Sequence, residues 1–270
     1  MTTHGPTGEL SYNGYLRVPE LLGLQSRLSQ HHDEMQFIVI HQVYELWFRL
    51  VLWELEDARA ALFSADAERA THRLERVNEI FRILVAQFEV IETMRPYEFL
   101  QFRDQLKPAS GFQSVQFREL EYLAGAKDPR FLTLFAQEPA VERLRARLAE
   151  PSLWDAFLAL VKQRGLTVEP EAELKRSLAR IERRECGAEL YRLVDGFVTF
   201  DQRAAHWRSR HLLMTERIIG GRPGTGEKLF QKLTETGYSA MGAGGVHYLE
   251  TTLKKKMFPL LWEVRSELTT

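Results

Sequence analysis

The chain has 270 residues, of which 44% are hydrophobic and 27% are charged, and its formal net charge is -1. These are ordinary values for a globular protein, and a near-neutral chain without a long basic run gives no indication of nucleic-acid binding. The single cysteine, Cys186, excludes an intramolecular disulfide and a cysteine metal cluster, and it fits a reducing compartment.

The N-terminal residues MTTHGPTGELSYNG lack the apolar core of a signal peptide, and no later stretch is apolar enough to span a bilayer. We therefore expect a cytoplasmic enzyme that does not enter a membrane. Residues 1–10 are small and polar, so we expect them to be mobile. The short, partly helical segment that follows brings Tyr12, Tyr15 and Leu16 close together. These side chains either cover the chain's own core or have a role outside it, because a single chain has little obvious use for them.

A long amphipathic helix is predicted from Met35 to Glu56 and on to Leu62, because no glycine or proline interrupts this stretch. Phe37 and His41 share one wide, mostly apolar face at helical spacing. A histidine in an aromatic face is one of two things. In the commoner case it is a core residue whose ring nitrogens are hydrogen-bonded, and otherwise it is a polar group directed into a cavity.

The following stretches also have the helical period. Ala67–Thr93 carries a continuous apolar stripe and should lie antiparallel to the first helix. Pro96 begins a short piece in which Phe99 and Arg103 lie on one face, four residues apart. The turn LKPASGFQS comes next, and Val115–Gly125 is predicted to be a helix that ends at its glycine.

Residues 126–187 contain several prolines that separate short helices, and we interpret them as a helical insert on the main bundle. Leu190–Ile219 is the second long helix, with Trp207 and His211 towards its C-terminal end, and two glycines stop it. A glycine-rich loop then leads to a last helix, Gly244–Arg265.

The basic run Lys254–Lys256 in the last helix is interpreted as a solvated face. Strand-type alternation persists nowhere in the sequence, and no phosphate-binding loop of the G-x-G-x-x-G type occurs. The predicted fold class is therefore all-α, with one domain over residues 11–270 that is built as a bundle of long helices.

Five blocks of sequence carry a family resemblance. They are SYNGYLRVPELL, HHDEMQFIVIHQVYELWFRL, RPYEFLQFRDQLKPASGFQSVQFRELEYLAG, WRSRHLLMTERIIGGRPGTG and GGVHYLETTLKKKMFPLLWEVRSEL. In these blocks, from Tyr12 to Leu268, the chain resembles the bacterial tryptophan 2,3-dioxygenases. The resemblance implies an enzyme with haem b in a pocket between helices. It would insert both atoms of O2 across the indole C2–C3 bond of L-tryptophan to give N-formylkynurenine, in the kynurenine pathway of tryptophan catabolism.

The resemblance also implies roles for two histidines. The residues alone leave His206, His211 and His247 open as iron ligands, because each could offer an imidazole. The match W-R-x-R-H followed by E-R-I-I-G makes His211 the axial ligand of the haem iron and suggests that the other two are surface residues. His41 matches the distal histidine, which faces bound oxygen and accepts the indole N–H, and Phe37 would pack on the indole ring.

Further side chains match substrate-binding positions of the family. Arg103 could hold the tryptophan carboxylate with its planar guanidinium, although its sequence neighbours alone favour a surface ion pair with Glu98 or Asp104. Phe99 stands where the family has Tyr or Phe, next to the substrate. Two hydroxyl residues complete this set. Ser110 matches the family's S-G-F-Q-S turn near the distal pocket, and Thr225 matches the threonine of G-T-G that is expected to contact the ammonium and the carboxylate of the substrate.

The family's N-terminal segment reaches into the active site of a neighbouring subunit. The pattern Y-x-x-Y-L is present here, so the resemblance implies a homotetramer in which Tyr12, Tyr15 and Leu16 complete a neighbour's pocket.

The sequence departs from the family after Gly226. About fifteen additional residues, 227–243, precede the last block, which is long for a connection without a role. Either Thr225 keeps its role and the insertion forms a lid, or Gly242–Gly245 supplies the loop with Ala243 in the place of the threonine. We prefer Thr225, because its distance from His211 along the chain fits the family.

Two alternatives to the dioxygenase remain at this stage. The altered loop supports a related haem-dependent mono-oxygenase of an indole or a tyrosine in secondary metabolism. A haem-binding sensor or carrier without turnover is the other, and the combination of His41, Arg103 and Thr225 argues against it.

Overall fold

The computed structural model of the protein describes residues 10–136, 138–226 and 245–268. The expected mobility before Leu10, the insertion 227–243 and the alternative loop with Ala243 concern residues outside these ranges. The expectation that His247 lies on the surface concerns a side chain outside the description.

The prediction of an all-α fold is confirmed, and no β-sheet forms within the described ranges. The α-helices are α1 (Tyr12–Leu16), α2 (Val18–Leu21), α3 (Asp33–Phe63), α4 (Ala67–Ala86), α5 (Phe88–Ile91), α6 (Pro96–Arg103), α7 (Val115–Ala124), α8 (Val141–Ala149), α9 (Leu153–Gln163), α10 (Glu171–Glu182), α11 (Ala188–Ile219), α12 (Gly245–Thr252) and α13 (Pro259–Glu267). Short 3-10 helices occupy Asp104–Leu106, Gly111–Gln113 and Pro129–Phe135.

Three helices form the main bundle: α3, α4 and α11, with α4 packed against both of the others. Asp66 caps α4, because its carboxylate accepts a hydrogen bond from Arg69 N at 3.0 Å. The apolar stripe of α4 is fully buried at Leu74, Val77 and Phe81. The apolar residues that repeat at helical spacing in the sequence of α4 are thus the residues whose side chains are buried in the core.

The stretch 126–187 contributes to two cores. Helix α9 packs against α3, and its Leu153 and Phe157 belong to the main core. Helix α8 and the preceding 3-10 helix instead form a small second core with α7, which contains Tyr122, Phe131 and Leu144.

The prediction of one continuous helix over Gly244–Arg265 is wrong, because the chain turns between α12 and α13. Asp201 of α11 lies buried beneath this turn. Its carboxylate accepts hydrogen bonds from Met257 N at 2.7 Å, from Phe258 N at 3.0 Å and from Trp262 Nε1 at 3.1 Å. A buried carboxylate that satisfies free backbone N–H groups stabilises a helix start at this point, and Pro259 suits the first turn of the new helix.

Candidate active site

A cavity of about 250 Å³ lies between α3, α6, α7 and α11. Its lining includes every predicted site residue outside the N-terminal segment, namely Phe37, His41, Phe99, Arg103, Ser110, His211 and Thr225. Residues that are far apart in the sequence therefore meet at one place in the fold.

His41 faces the cavity from α3 with one ring nitrogen engaged. Its Nδ1 lies 2.7 Å from the carbonyl oxygen of Phe37, and the two rings are in contact with their centroids 4.1 Å apart. Since a carbonyl can only accept, Nδ1 carries the proton and Nε2 of the neutral ring is an acceptor. Burial lowers the pKa of His41, although the bond to Phe37 opposes this shift. His41 is therefore a neutral imidazole whose Nε2 can accept a hydrogen bond.

His211 approaches the cavity from α11. Its ring stacks on Trp207, with centroids 5.3 Å apart, and on Phe88 at 5.9 Å. Burial and, to a smaller extent, the proximity of His41 lower the pKa of His211 to about 4. The ring is therefore neutral at physiological pH, as a metal-ligating imidazole must be. His206, by contrast, is exposed.

Arg103 is buried rather than part of a surface ion pair. Its side chain donates a hydrogen bond to the carbonyl oxygen of Pro223 and lies 4.0 Å from Asp104, which is largely exposed. Glu98, the other candidate partner, pairs with His31 instead. The Nε–H of Arg103 finds no acceptor among the described residues. Since buried donors are nearly always satisfied, an unpaired guanidinium N–H beside a cavity indicates a place for a ligand.

The two hydroxyls hold loops at the rim of the cavity. Ser110 Oγ accepts a hydrogen bond from Phe112 N at 3.3 Å, and Ser110 N donates to Gln113 Oε1 at 3.0 Å, which together cap the 3-10 helix. Thr225 Oγ1 donates to Ala109 O at 2.7 Å and so joins the loop after α11 to the loop before α7.

A buried ion cluster at the same cavity is absent from the sequence-based prediction. The Glu121 carboxylate lies 2.5 Å from Arg118 Nη1, 3.3 Å from Arg208 Nη2 and 2.9 Å from Lys255 Nζ. Burial tends to raise the pKa of Glu121, but the three cations prevail and lower it to about 2. Both arginines and Glu121 line the cavity. The assignment of Lys254–Lys256 to a solvated face is thus wrong for Lys255, which faces the interior carboxylate.

Comparisons with known proteins agree on one family. Residues 2–173 match the family model described as tryptophan 2,3-dioxygenase. The chain is 46% identical to a tryptophan 2,3-dioxygenase of a Nocardioides species, over 96% of this chain and 95% of that protein. It is 40% identical to the Caulobacter vibrioides protein of the same name (96% and 99%) and 36% identical to that of Bacillus cereus (96% and 93%).

The chain belongs to the tryptophan 2,3-dioxygenase family. The family predicted from the sequence motifs is therefore confirmed. None of the described helices of this dioxygenase-family chain is long and apolar enough to cross a membrane.

The N-terminal segment of this dioxygenase-family chain does not join the cavity of the same chain. Tyr12, Tyr15 and Leu16 are 76%, 66% and 46% exposed, and the cavity lining does not include them. Hydrogen bonds from Gln25 Nε2 to Gln42 Oε1 and from Gln42 Nε2 to Leu24 O attach the following loop to α3. Tyr12, Tyr15 and Leu16 thus expose large apolar side chains to solvent, while the loop that follows them is attached to the bundle.

Proposed function

We propose that the protein is a haem-dependent tryptophan 2,3-dioxygenase, which inserts both atoms of O2 across the indole C2–C3 bond of L-tryptophan to give N-formylkynurenine. One observation carries this proposal: two neutral imidazoles, His41 on α3 and His211 on α11, line a single cavity together with the buried Arg103. Such a set combines an iron ligand, a hydrogen-bond acceptor and a carboxylate-binding group in one enclosed space.

The residues of the cavity fit haem b. His211 would bind the haem iron, and Phe88 and Trp207, whose rings stack on His211, would hold its imidazole in place. When bound, the haem iron supplies the site at which O2 is held and activated.

The ion cluster would hold the propionate groups of the haem. Three cations, Arg118, Arg208 and Lys255, surround the carboxylate of Glu121, so these four groups together carry a net positive charge that suits an anionic group. The indole N–H of Trp207, also at the cavity, is buried and has no acceptor among the described residues. Cations and a spare donor are the groups that carboxylates require in an interior.

The α3 and α6 side of the cavity would bind tryptophan. Phe37 and Phe99, whose ring centroids are 5.8 Å apart, offer an apolar surface for the indole. His41 would accept the indole N–H at Nε2, because its Nδ1 is already committed to the Phe37 carbonyl. The orientation of the indole is thus set by a neutral acceptor, and no proton needs to leave the imidazole.

The carboxylate and the ammonium of the substrate would meet the rim of the cavity. Arg103 would bind the carboxylate with its guanidinium, and Thr225 would contact the ammonium and the carboxylate from the neighbouring loop. Ser110 would support the same corner through its capped turn.

We further propose a cytoplasmic homotetramer in which Tyr12, Tyr15 and Leu16 of one subunit complete the pocket of a neighbour. Their exposure in the single chain supports this assignment. A sedimentation experiment in which the active species is a monomer would exclude it.

The reaction is tested by mass spectrometry of the product. Purified, ferrous, haem-loaded protein should convert tryptophan under ¹⁸O2 to a ring-opened product that carries two labelled oxygen atoms. A ring-intact product with one oxygen atom would instead identify a mono-oxygenase. Haem and tryptophan binding without any product would identify the sensor.

A further inference from the structure

One imidazole outside the cavity connects the two helices that carry the proposed substrate-binding residues. His31 lies just before α3, and its Nε2 is 2.9 Å from Glu98 Oε2 on α6. Its Nδ1 accepts a hydrogen bond from Asp33 N, the first residue of α3, at 3.3 Å. Because Nδ1 accepts, the neutral ring carries its proton on Nε2 and donates it to the Glu98 carboxylate. The ring also stacks on Phe102 of α6, with centroids 5.7 Å apart.

The loop that carries His31 is itself held in place. The buried carboxylate of Glu34, in the first turn of α3, accepts hydrogen bonds from Leu28 N at 2.6 Å and from Ser29 N at 2.7 Å. Ser29 Oγ in turn accepts a hydrogen bond from His31 N at 3.1 Å. The imidazole therefore projects from a loop that is bonded to α3, and its position follows that of α3.

Helix α6 needs such an attachment. It has eight residues, and the side chain of its N-cap residue, Arg95, makes no capping hydrogen bond. Helices of this length are not stable alone in water, so tertiary contacts must hold α6. Glu98 precedes Phe99 by one residue and Arg103 by slightly more than one turn. A shift of this end of α6 would move both substrate-facing side chains relative to α3.

We propose that His31 is a positioning residue for the substrate. By joining the start of α3 to α6, it holds Phe99 and Arg103 in register with Phe37 and His41, while it does not touch the cavity itself. This inference rests on the proposed function, since the register matters for catalysis only if tryptophan binds between these helices.

The test uses the full-length, haem-loaded protein and the variant His31→Phe, which keeps an aromatic ring against Phe102 but removes both ring nitrogens. The bond to Glu98 is partly exposed, so we expect the KM for tryptophan to rise about fivefold while kcat stays within about twofold. The conservative variant His31→Gln, which retains a donor for Glu98, should restore most of the affinity. The matched control is His72→Phe, which removes an exposed histidine that pairs with Glu75 at 3.8 Å on α4.

A second readout does not depend on catalysis. Amide hydrogen exchange over Pro96–Arg103 should accelerate about fivefold in His31→Phe and stay unchanged in His72→Phe. If the wild-type protein does not oxidise tryptophan, the proposed function fails, and this exchange still decides whether His31 holds α6. Unchanged exchange together with an unchanged KM would overturn the positioning role.

The variant Glu98→Leu breaks the same contact from the other side and covers the case in which His31→Phe does not fold. It should raise the KM to the same extent, and the double variant should add nothing further, because one interaction is lost in each case. Additive effects of the two substitutions, or a loss of kcat and thermal stability without a change in KM, would show that His31 has only a general structural role.

Discussion

The two sides of the cavity are built differently. On the side that we term the packed wall, formed by α11 with Phe88, His211 belongs to a 32-residue helix and is held by ring stacking. On the side that we term the bonded wall, formed by α6 and the loop after α11, Arg103 and Thr225 are held by hydrogen bonds to the backbone carbonyls of Pro223 and Ala109.

This difference suits the proposed function. Stacked rings in a long helix keep their position whether or not a ligand is present, because close packing admits few alternatives. Hydrogen bonds to loop carbonyls can be exchanged for hydrogen bonds to a ligand at little net cost. The packed wall is therefore suited to a cofactor that stays bound. The bonded wall is suited to a substrate that binds and leaves in each turnover.

The largest expected effect comes from the packed wall. His211→Ala removes the proposed ligand of the haem iron and should abolish stable haem binding, since His206, the other histidine of α11, is exposed and does not line the cavity. Absorption spectra of the purified, haem-reconstituted variant measure this loss. The control is His206→Ala, which changes an exposed histidine of the same helix and should bind haem normally. The reverse result for the two variants would refute the assignment of His211.

The next effect separates the two walls. Arg103→Lys keeps a positive charge but loses the planar fork, and the loss of such a buried charge-assisted contact typically costs about 2–5 kcal/mol of binding free energy. We expect much weaker tryptophan binding with normal haem content, measured by optical titration of the haem-loaded variant.

The matched control for Arg103 is Arg82→Lys, which alters an exposed arginine that pairs with Glu79 at 2.8 Å. Tryptophan affinity in this control should equal that of the wild type. Equal affinity in Arg103→Lys as well would mean that the bonded wall does not bind the carboxylate.

The third effect concerns the ion cluster beside the packed wall. Arg118, Lys255 and Arg208 lower the pKa of Glu121 to about 2, against the opposing effect of burial. Since the folded-state pKa lies below the ordinary value of 4.5, the cluster stabilises the fold fully above about pH 4.5 and loses this contribution as the pH falls towards 2. A shift of this size corresponds to about 3 kcal/mol of unfolding free energy.

Urea unfolding of the wild type and of Glu121→Gln measures this contribution. The difference in unfolding free energy between the two proteins should be largest near neutral pH and should shrink as the pH falls from 4.5 towards 2. Glu75→Gln, which alters a largely exposed carboxylate, serves as the control and should show almost no difference at any pH. A difference for Glu121→Gln that does not vary with pH would contradict the linkage.

Helical periodicity predicts the bundle well because the same period decides which side chains are buried. The first long helix runs from Asp33 to Phe63, close to the predicted bounds, and the family motifs locate the residues that line the cavity. The missed features depend on partners far away in the sequence. Lys255 and Glu121 are separated by 134 residues, and Asp201 meets the turn at Met257 across 56 residues. Local spacing contains no information about such contacts.

The smallest effect sharpens the description of the bonded wall. Thr225→Val keeps the shape of the side chain but removes the hydroxyl that donates to Ala109 O at 2.7 Å and that we assign to the substrate. A lost hydrogen bond of this kind costs about 1 kcal/mol, so tryptophan binding should weaken about fivefold, with haem content unchanged. Optical titration with tryptophan measures the change. The control is Thr133→Val, which removes a similar bond to Arg130 O at 2.8 Å at an exposed position of the 3-10 helix Pro129–Phe135.

The result for Thr225 also decides between the two loops considered for this corner. If Gly242–Gly245 closes the site instead, with Ala243 in the place of the threonine, Thr225→Val should bind tryptophan as the wild type does. A hydroxyl restored on that loop by Ala243→Thr would then tighten binding. If Thr225 keeps the role, Ala243→Thr should not strengthen binding, because the ammonium and the carboxylate already have their hydroxyl partner. Opposite responses of the two variants therefore identify which loop completes the bonded wall.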